Sequence, residues 1–403
     1  MLAVEEAHAR IVAGFAPLPA EWVHLAAAAG RVLERDLIAE RDQPPGDTSA
    51  MDGYAARAAD LASGHATLRL VGSAPAGGSY DEELGPGETV RIFTGGLLPR
   101  GADSVALQEN ARAEGDRVRI EGSLEPGTFV RPAGLDFRRG EHALPAGRRL
   151  SARDVGLAAA LNHAWLPVRR RPRIALLATG DELVLPGQPL APTQIVSSNT
   201  VALAAMVCQW GGEPLDLGIV RDRPDSLVEA SEQLRGVDLV VTMGGASVGE
   251  RDLVRGVLGE HGLALDFWQI AMRPGKPLMF GRVHEVPLLG LPGNPASVGV
   301  CAVLFVRTAL CALLGLDPAP PEVPAVLGAP LGANDRRQDY LRSSAVWRAD
   351  GRLEAVPAAR QDSSMLATFA RADCLIKRAP FAPAMSPGTP VSLLLLGSAP
   401  LAI

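Results

Sequence analysis

RIALLATGDEL, residues 173–183, decides the fold of the longest part of this 403-residue chain. An apolar run of strand length ends in a short segment that combines glycine with two acidic residues, which is typical of a loop leaving a buried strand. Further along, short apolar runs and helix-like segments alternate, and this alternation predicts a parallel sheet covered by helices. In such sheets the functional loops lie at the carboxyl ends of the strands.

The flanking sequence predicts further domains, so that the whole chain is a multidomain α/β plus β protein. Residues 66–132 contain short β-like runs between Gly and Pro turns, which indicates a small β domain. The stretch HLAAAAGRVLERDL (24–37) has a helical pattern. The predicted domains are a helical or mixed linker domain (1–43 plus 137–170), an inserted β domain (44–136), a central three-layer α/β/α domain (171–316) and a C-terminal β domain of barrel type (317–403).

Composition excludes several classes of protein. Hydrophobic residues make up 47% of the chain and charged residues 21%, as in ordinary soluble globular proteins. The net charge is −6 and the basic residues form no long run, so a nucleic-acid-binding surface is not expected. The apolar stretch 297–316 contains Arg307, which would be costly in a bilayer, so we expect a core helix and no membrane span. The four scattered cysteines are expected to be buried thiols of a cytoplasmic protein.

Three glycine-containing loops follow predicted strands of the α/β domain: ATGDEL (178–183), MGGASVGERD (243–252) and LPGNPAS (291–297). Glycines let the backbone approach a ligand closely, and helix N-termini present free N–H groups to anions. Glu182 and Asp252 add carboxylates through which Mg²⁺ could bridge to phosphate oxygens. Tight turns and helix caps explain any one of these loops, but three in one sheet favour a phosphate site.

Two other segments carry charges with more than one interpretation. RPGKP (273–277) places Arg273 and Lys276 on a stiff turn, which suits an oxyanion such as phosphate or molybdate but also fits a solvated turn. Asp222 lies between a predicted strand and helix, where a carboxylate is also a common helix cap.

The segment around Ser247 has the G-x-S-x-G pattern of a hydrolase nucleophile. The hydrolase hypothesis also requires an early oxyanion loop of the HGGG type, and the sequence contains none. A P-loop motif is also missing. Ser247 is therefore predicted to bind a ligand or to cap a helix.

Several long motifs occur together in a characteristic order: TSAMDGYAAR (48–57), RIFTGGLLPRGADSVALQE (91–109), ATGDEL, MGGASVGERD, RPGKP and LPGNPAS. In this order and spacing the chain resembles the molybdopterin molybdenumtransferase family, the MoeA type that includes the C-terminal domain of gephyrin. The resemblance implies a homodimeric enzyme of molybdenum cofactor biosynthesis with four domains per chain. Its substrates would be adenylylated molybdopterin and molybdate, and it would release AMP with the help of Mg²⁺ or Zn²⁺. It also implies transient contacts with molybdopterin-supplying proteins and molybdoenzymes.

The resemblance also implies roles for individual residues. The implied catalytic residues are Asp52, Thr94, Asp136, Glu182, Asp222 and Asp252. The implied metal ligands are Glu182 and Asp252. The implied substrate-binding residues are Ser247, Asn294, Ser297, Arg273, Lys276, Pro277, Arg342 and Ser363.

The chain departs from the family pattern at three places. Arg273 stands where the family usually has lysine, the approach to Asp136 is shortened to RPAGLD, and Asp362 replaces a glycine beside Ser363. Two alternative functions remain open at this point. One is a scaffold of the same fold with reduced catalysis, and the other is the related adenylyltransferase step. The retained carboxylates and cations disfavour the first, and the flanking β domains disfavour the second.

Overall fold

The computed structural model describes residues 1–221, 234–244 and 263–397. The chain forms two compact units. Unit 1 contains Met1–Trp22, Gly30–Glu34 and Pro167–Ile403, and unit 2 contains Val23–Ala29 and Arg35–Leu166. The domain boundaries predicted above divide the chain more finely and remain predictions.

The elements of residues 1–169 are mostly short strands. In chain order they are α1 (Val4–Ala13), β1 (Ala20–His24), β2 (Leu37–Ile38), β3 (Thr48–Ser49), β4 (Gly53–Ala56), β5 (His65–Ala74), β6 (Glu88–Ile92), β7 (Ser104–Leu107), β8 (Ala111–Glu114), β9 (Arg117–Glu121), β10 (Val130–Arg131), β11 (His142–Leu144), α2 (Ala152–Ala160) and β12 (Trp165–Arg169).

Unit 2 is built around a six-stranded sheet in the order β7-β4-β6-β5-β9-β8. Apolar residues cover both faces of this sheet, with Tyr54 and Ile120 in one cluster and Val90 and Ile92 in the other. Burial on both faces explains why β4 is apolar throughout rather than alternating.

The helix predicted over residues 24–37 is wrong. Only Leu25–Ala27 form a single 3₁₀ turn, and β2 begins at Leu37. Gly30 has φ 77°, in the left-handed region, so a right-handed helix cannot continue through it. The sequence predicted a helix because its many alanines have high helix propensity, and this propensity outweighed the single glycine at which the chain turns.

The described elements of residues 173–314 are strands and two helices. They are β13 (Arg173–Thr179), β14 (Leu183–Val184), β15 (Ile195–Val196), α3 (Ser198–Gln209), β16 (Glu213–Val220), β17 (Leu239–Met243), β18 (Leu263–Phe267), β19 (Met272–Arg273), β20 (Met279–Val283), β21 (Val286–Leu291) and α4 (Pro295–Leu314). The helices predicted between β16 and β17 and between β17 and β18 lie outside the described residues.

The main sheet of unit 1 has the order β16-β13-β17-β21-β20-β18. The first four strands are parallel, and β20 and β18 complete the sheet in antiparallel pairing. Residues of α1, α3 and α4 pack with one face of the sheet in the largest apolar cluster, and a second cluster covers the other face. Ion pairing also fixes the start of β13, since Arg170 binds Asp238 through two hydrogen bonds of 3.0 and 2.8 Å.

Helix α4 is long and apolar enough to cross a membrane, with a mean hydropathy of 2.2, but 83% of the relevant window is buried inside the protein. The prediction of a core helix at this position is therefore confirmed. Of the four cysteines, Cys208 is exposed, contrary to expectation, while the others are buried. Cys208 follows buried Val207 in the last turn of α3 and is rotated by about 100° from it around the helix axis, away from the buried face.

The C-terminal elements are β22 (Glu322–Leu327), β23 (Gln338–Trp347), β24 (Leu353–Pro357), α5 (Leu366–Ala370), β25 (Cys374–Arg378) and β26 (Pro390–Leu395). The strands form a closed barrel in the order β23-β24-β22-β26-β25, which the β23–β25 pairing closes. Strand β19 adds to β23 in parallel. The predicted α/β plus β architecture with a barrel-type C-terminal domain is confirmed.

Candidate functional site

The order of the parallel strands creates a crevice at one edge of the main sheet. From β13 the chain first builds β16 on one side and later builds β17 on the other. The connections therefore diverge between the carboxyl ends of β13 and β17, where Ala178 pairs with Met243. In open α/β sheets this switch point is where ligands bind.

A cavity of about 640 Å³ lies at this edge. Its walls come from the ends of β13 and β17 and from the loops that precede α3 and α4. The lining residues are Ala178, Thr179, Gly180, Glu182, Leu183, Ile195, Val196, Ser197, Ser198, Asn199, Met243, Gly244, Pro277, Pro292, Gly293, Asn294, Pro295 and Ser364. Glu182 is the acidic residue among these described lining residues. The cavity thus joins the ATGDEL and LPGNPAS loops that the sequence singled out.

The N-termini of two helices line this cavity. Helix α3 begins after Ser197 and α4 after Asn294, and in neither case does the N-cap side chain accept a hydrogen bond from the first turn. Asn199 links the two ends, because its Nδ2 donates to the Gly293 carbonyl oxygen at 2.8 Å. Helix N-termini carry positive potential and free N–H groups, so the first turn of α3 suits an anion. At α4, Pro295 has no N–H and the Ala296 N–H already donates to the Ser363 carbonyl oxygen.

A loop that follows the barrel strand β24 meets the start of α4. Asn294 Nδ2 donates to Ser363 Oγ at 2.8 Å, and the Ala296 N–H donates to the Ser363 carbonyl oxygen at 3.0 Å. Ser297 is buried in the first turn of the same helix, and Ser364 lines the cavity. The structure therefore brings the predicted residues Asn294, Ser297 and Ser363 together.

Arg342 is a buried cation next to this loop. Its side chain is 1% exposed, its Nη2 donates to the Asp362 carbonyl oxygen at 3.0 Å, and its Nε has no partner. Burial lowers the pKa of Arg342, an effect that nearby Asp362 opposes. Within the described part of the chain, no carboxylate forms an ion pair with it. A buried, uncompensated guanidinium is costly, and an oxyanion would relieve that cost.

Asp362, the residue that departs from the family pattern, is engaged locally. Its Oδ1 accepts from the Ser364 N–H at 2.8 Å and from Ser364 Oγ at 2.6 Å. The hydrogen bond from the Ser364 side chain is the main cause that lowers the pKa of Asp362. The carboxylate therefore shapes the turn that carries Ser363 rather than pairing with Arg342.

The two cations of the RPGKP turn have different environments. Arg273 donates to both carboxylate oxygens of buried Asp339, at 2.8 and 2.6 Å, and also contacts Asp335 at 3.3 Å. These hydrogen bonds, foremost those to Asp339, raise the pKa of Arg273. Lys276 is half-buried, and none of the described carboxylates pairs with it. Pro277 lines the cavity. Arg273 therefore anchors the turn to the barrel, which leaves Lys276 as the cation available to a ligand.

In unit 2 the predicted residues Asp52 and Thr94 are in direct contact. Asp52 Oδ1 accepts from both the backbone N–H and the Oγ1 of Thr94, each at 2.8 Å. These bonds, the backbone one first, lower the pKa of Asp52, and the charge of Arg91 adds to the effect. Arg91 lies 4.9 Å from the ring centroids of both Tyr54 and Phe93. Asp52 is thus an exposed carboxylate held in one position.

Asp136 lines a second cavity, of about 400 Å³, that is formed within unit 2. The wall includes Gly95, which follows Thr94, and Arg131. The backbone of the RPAGLD segment is fixed by the hydrogen bond from the Asp136 N–H to the Gln43 carbonyl oxygen at 2.9 Å. The three motifs around Asp52, Thr94 and Asp136 are therefore neighbours within one unit.

A cavity of about 220 Å³ in unit 1 is less suited to an anion. Its lining includes Glu5, Glu322 and Lys377, and the Lys377 ammonium already pairs with Glu322 at 2.8 Å. The charge of the lysine is compensated there.

Three predicted residues, Asp222, Ser247 and Asp252, lie outside the described residues. Among residues 1–221, 234–244 and 263–397, no group of three or more His, Cys, Asp or Glu side chains could hold a metal ion. Glu182 is therefore the one predicted metal ligand whose position is described.

Sequence reasoning missed Thr179 and Asn199 as residues of the cavity. Asn199 stands at the start of α3, and the rule that Ser and Asn mark helix N-termini could have identified it. Thr179 is the last residue of an apolar strand. The sequence does not show whether the hydroxyl of such a residue is buried or faces solvent.

Family models match nearly the whole chain. The MoeA N-terminal region (domain I and II) matches residues 2–162. A model described as a probable molybdopterin binding domain matches residues 175–312, and the MoeA C-terminal region (domain IV) matches residues 324–396.

Relatives and solved structures agree with these matches. A molybdopterin molybdenumtransferase from Nostoc sp. is 43% identical over 304 residues, covering 73% of this chain and 70% of the relative. The enzyme of that name from Haemophilus influenzae is 32% identical over 381 residues, covering 93% and 94%. The crystal structure of the molybdopterin biosynthesis moeA protein from Pyrococcus horikoshii superposes with a TM-score of 0.86 at 30% identity, covering 99% of this chain and 100% of that one. The chain belongs to the molybdopterin molybdenumtransferase family.

Proposed function

We propose that this protein transfers molybdenum from molybdate to adenylylated molybdopterin and releases AMP, as a step of molybdenum cofactor biosynthesis. The observation that carries the proposal is the cavity at the switch point, where two helix N-termini, Glu182 and the Ser363 loop come together. The names of the relatives support the transfer of molybdenum to molybdopterin, and the adenylylated substrate and the release of AMP are what the family resemblance implies. These names support neither the scaffold hypothesis nor the adenylyltransferase hypothesis.

The residues of the cavity suit different parts of the substrate because their chemistry differs. The end of α3 suits phosphate oxygens, because the Ser197 side chain does not cap the N–H groups of its first turn. Glu182 has no ion-pair partner among the described residues, so it can take a cation. A Mg²⁺ or Zn²⁺ ion held by Glu182, with Asp252 as the second predicted ligand, would neutralise charge on the phosphate oxygens.

Molybdate is a dianion and requires fixed positive charge with hydrogen-bond donors. Lys276 and Arg342 are cations without carboxylate partners among the described residues, and Ser363 supplies a hydroxyl. Charge-assisted hydrogen bonds of this kind are the strong ones. We assign molybdate to these three side chains, and we exclude Arg273 because Asp339 and Asp335 already compensate its charge.

We also propose that Asp52 acts as an ionised carboxylate in the reaction, with Thr94 as its positioning residue. The two hydrogen bonds from Thr94 occupy Oδ1, which leaves Oδ2 to the substrate. Asp136 and Asp222 are the further catalytic carboxylates of this proposal, and Ser247 and Ser297 are further contacts to the pterin nucleotide. The protein is proposed to be a cytoplasmic homodimer that contacts molybdopterin-supplying proteins and molybdoenzymes transiently.

The first prediction tests the reaction itself. Incubated with adenylylated molybdopterin, Mg²⁺ and molybdate, the protein should release AMP, and omission of molybdate should slow this release. Glu182→Gln should lower the rate at least about a hundredfold, because it removes charge from the metal and phosphate site. Glu213→Gln, at the amino end of β16, is the matched control and should react at the normal rate. A normal rate in Glu182→Gln would remove this residue from the reaction, and no AMP release by the unaltered protein would refute the function.

A second prediction uses the fact that the chain contains only two lysines, Lys276 and Lys377. Lys276→Ala should raise the molybdate concentration needed for half-maximal AMP release about tenfold to a hundredfold, because a charged hydrogen bond of about 1.5–3 kcal/mol is lost. Lys377→Ala removes a lysine that is already paired with Glu322, and it is the control. It should change the molybdate concentration for half-maximal AMP release by less than about twofold.

The same assignment can be tested without turnover. Acetic anhydride should acetylate Lys276 more slowly when molybdate is present, while acetylation of Lys377 should stay constant. Peptide mapping by mass spectrometry measures both sites in one sample. Equal protection of the two lysines, or none, would place molybdate elsewhere.

A third prediction concerns pH. The hydrogen bonds from Thr94 depress the pKa of Asp52, so the ionised form persists to lower pH than for a free aspartate. Thr94→Val removes the hydroxyl donor, which raises the pKa of Asp52 and moves the acid limb of kcat/KM to higher pH. Thr67→Val, at an exposed position of β5, should leave the pH profile unchanged. An equal loss of activity at every pH, with an unmoved acid limb, would mean that Asp52 does not act as a base or anion.

A further inference from the structure

Asp52 precedes a position at which only glycine fits. The next residue, Gly53, begins β4, and a Cβ there would lie 1.9 Å from the Ala106 carbonyl oxygen on β7. Glycine leaves the backbone more conformational freedom than any other residue. Contacts from neighbouring elements are therefore needed to fix the main chain that carries the exposed Asp52 carboxylate.

Arg91 provides such contacts from the adjacent strand β6. Its Nη1 donates to the Gly53 carbonyl oxygen at 3.2 Å, and its Nη2 donates to Gln108 Oε1 at 2.6 Å. The Gln108 N–H in turn donates to the Asp52 carbonyl oxygen at 3.2 Å. One guanidinium is thus bonded directly to the residue after Asp52 and, through Gln108, to Asp52 itself.

Two aromatic rings hold this guanidinium in place. Tyr54 pairs with Arg91 across the strands, Phe93 lies two residues further along the chain, and Arg91 Cζ is 4.9 Å from both ring centroids. Aromatic faces attract a cation, and a planar guanidinium can pack on a ring while two of its nitrogens donate to different acceptors. The single ammonium nitrogen of a lysine cannot reproduce this arrangement.

A purely structural role for Arg91 is the competing interpretation, because cross-strand side-chain pairs stabilise sheets. Such a role accounts for the contact with Tyr54, but it does not account for the two hydrogen bonds, which both lead to the main chain at Asp52. The pKa of Asp52 is lowered chiefly by the hydrogen bonds from Thr94, and the charge of Arg91 lowers it further.

We propose that Arg91 is a positioning residue of the reaction, which holds the main chain at Asp52 and keeps a fixed positive charge beside the Asp52 carboxylate. The inference rests on the proposed function, because it requires that Asp52 acts as an ionised carboxylate. Thr94 fixes the carboxylate itself, and Arg91 fixes the chain that carries it.

Titration of the Asp52 carboxylate by carbon-13 NMR tests the charge without turnover. The charged side chains of this network are those of Arg91 and Glu109, whose Oε1 accepts from Gln108 Nε2 at 3.3 Å. Arg91→Gln should raise the pKa of Asp52, because a positive charge is lost. Arg69→Gln, which removes an arginine from β5 of the same sheet, is the control and should leave this pKa unchanged. An unchanged pKa of Asp52 in Arg91→Gln would overturn the proposal.

Arg91→Lys separates the geometry of the guanidinium from its charge. The variant keeps the charge but loses the paired donors, so kcat for AMP release should fall about tenfold to a hundredfold while KM changes less than about twofold and the acid limb of kcat/KM stays in place. Arg91→Gln should lower kcat as much and also move the acid limb to higher pH. A purely structural role would lower the free energy of unfolding and leave the acid limb in place in both variants. A normal kcat in Arg91→Lys would contradict a positioning role.

Gln108→Met tests the same network at an exposed position that the sheet tolerates more easily than a change at Arg91. It removes the acceptor of Arg91 Nη2 and leaves the charge of Arg91 unaltered. We expect kcat to fall about threefold to tenfold with an unmoved acid limb, since one of the two links to Asp52 is weakened. A normal kcat in this variant would refute the network.

The inference and the proposed function can fail independently. A chain in which Arg91→Gln raises the pKa of Asp52 but which never releases AMP would support the placement of the charge and refute the function. A chain that releases AMP, with an unchanged pKa of Asp52 in Arg91→Gln and a normal kcat in Arg91→Lys, would overturn the inference and leave the function intact.

Discussion

The parallel pairing of β13 with both β16 and β17 is the constraint on which the rest of unit 1 depends. Because three parallel strands, β13, β17 and β21, end at one edge, the segments that follow β13 and β21 meet there with the end of β17 although they are far apart in sequence. The loop after β21 also starts α4, whose apolar length is buried in the largest cluster. Burial of α4 therefore fixes the position of its polar N-terminus, and the stability of the core and the geometry of the cavity have the same origin.

Charge compensation differs between the buried and half-buried cations of this chain. Arg273 and Arg170 bind carboxylates through paired hydrogen bonds, and such pairs fix loops to the fold. Arg342 is more deeply buried than either, and among the described residues its Nη2 donates to a carbonyl oxygen while its Nε has no partner. A cation in that state destabilises the free protein and stabilises an anion complex, so its retention is understandable where an oxyanion binds.

The sequence predicted the architecture and the loops because both follow from local patterns. Alternating apolar runs indicated the parallel sheet, and the glycine-containing loops after its strands indicated the cavity edge. Three features could not be predicted for physical reasons. The pairing of Arg273 with Asp339 joins positions far apart in the chain, the turn at Gly30 overrides an alanine-rich helical pattern, and the unpaired hydroxyl of Thr179 depends on packing around a strand end. The Arg273–Asp339 pair and the Thr179 hydroxyl have no periodic or local signal, and at Gly30 the single glycine is outweighed by the alanine-rich pattern around it.

The central claim is that the substrate binds at the carboxyl edge of the main sheet in unit 1, and hydrogen–deuterium exchange tests it most directly. On addition of adenylylated molybdopterin, amide exchange should slow in the segments 178–184, 195–200 and 292–297, because these line the cavity. The exposed hairpin of β8 and β9 should exchange at the same rate with and without substrate. Unchanged exchange in all three cavity segments, with protection only elsewhere, would contradict the account.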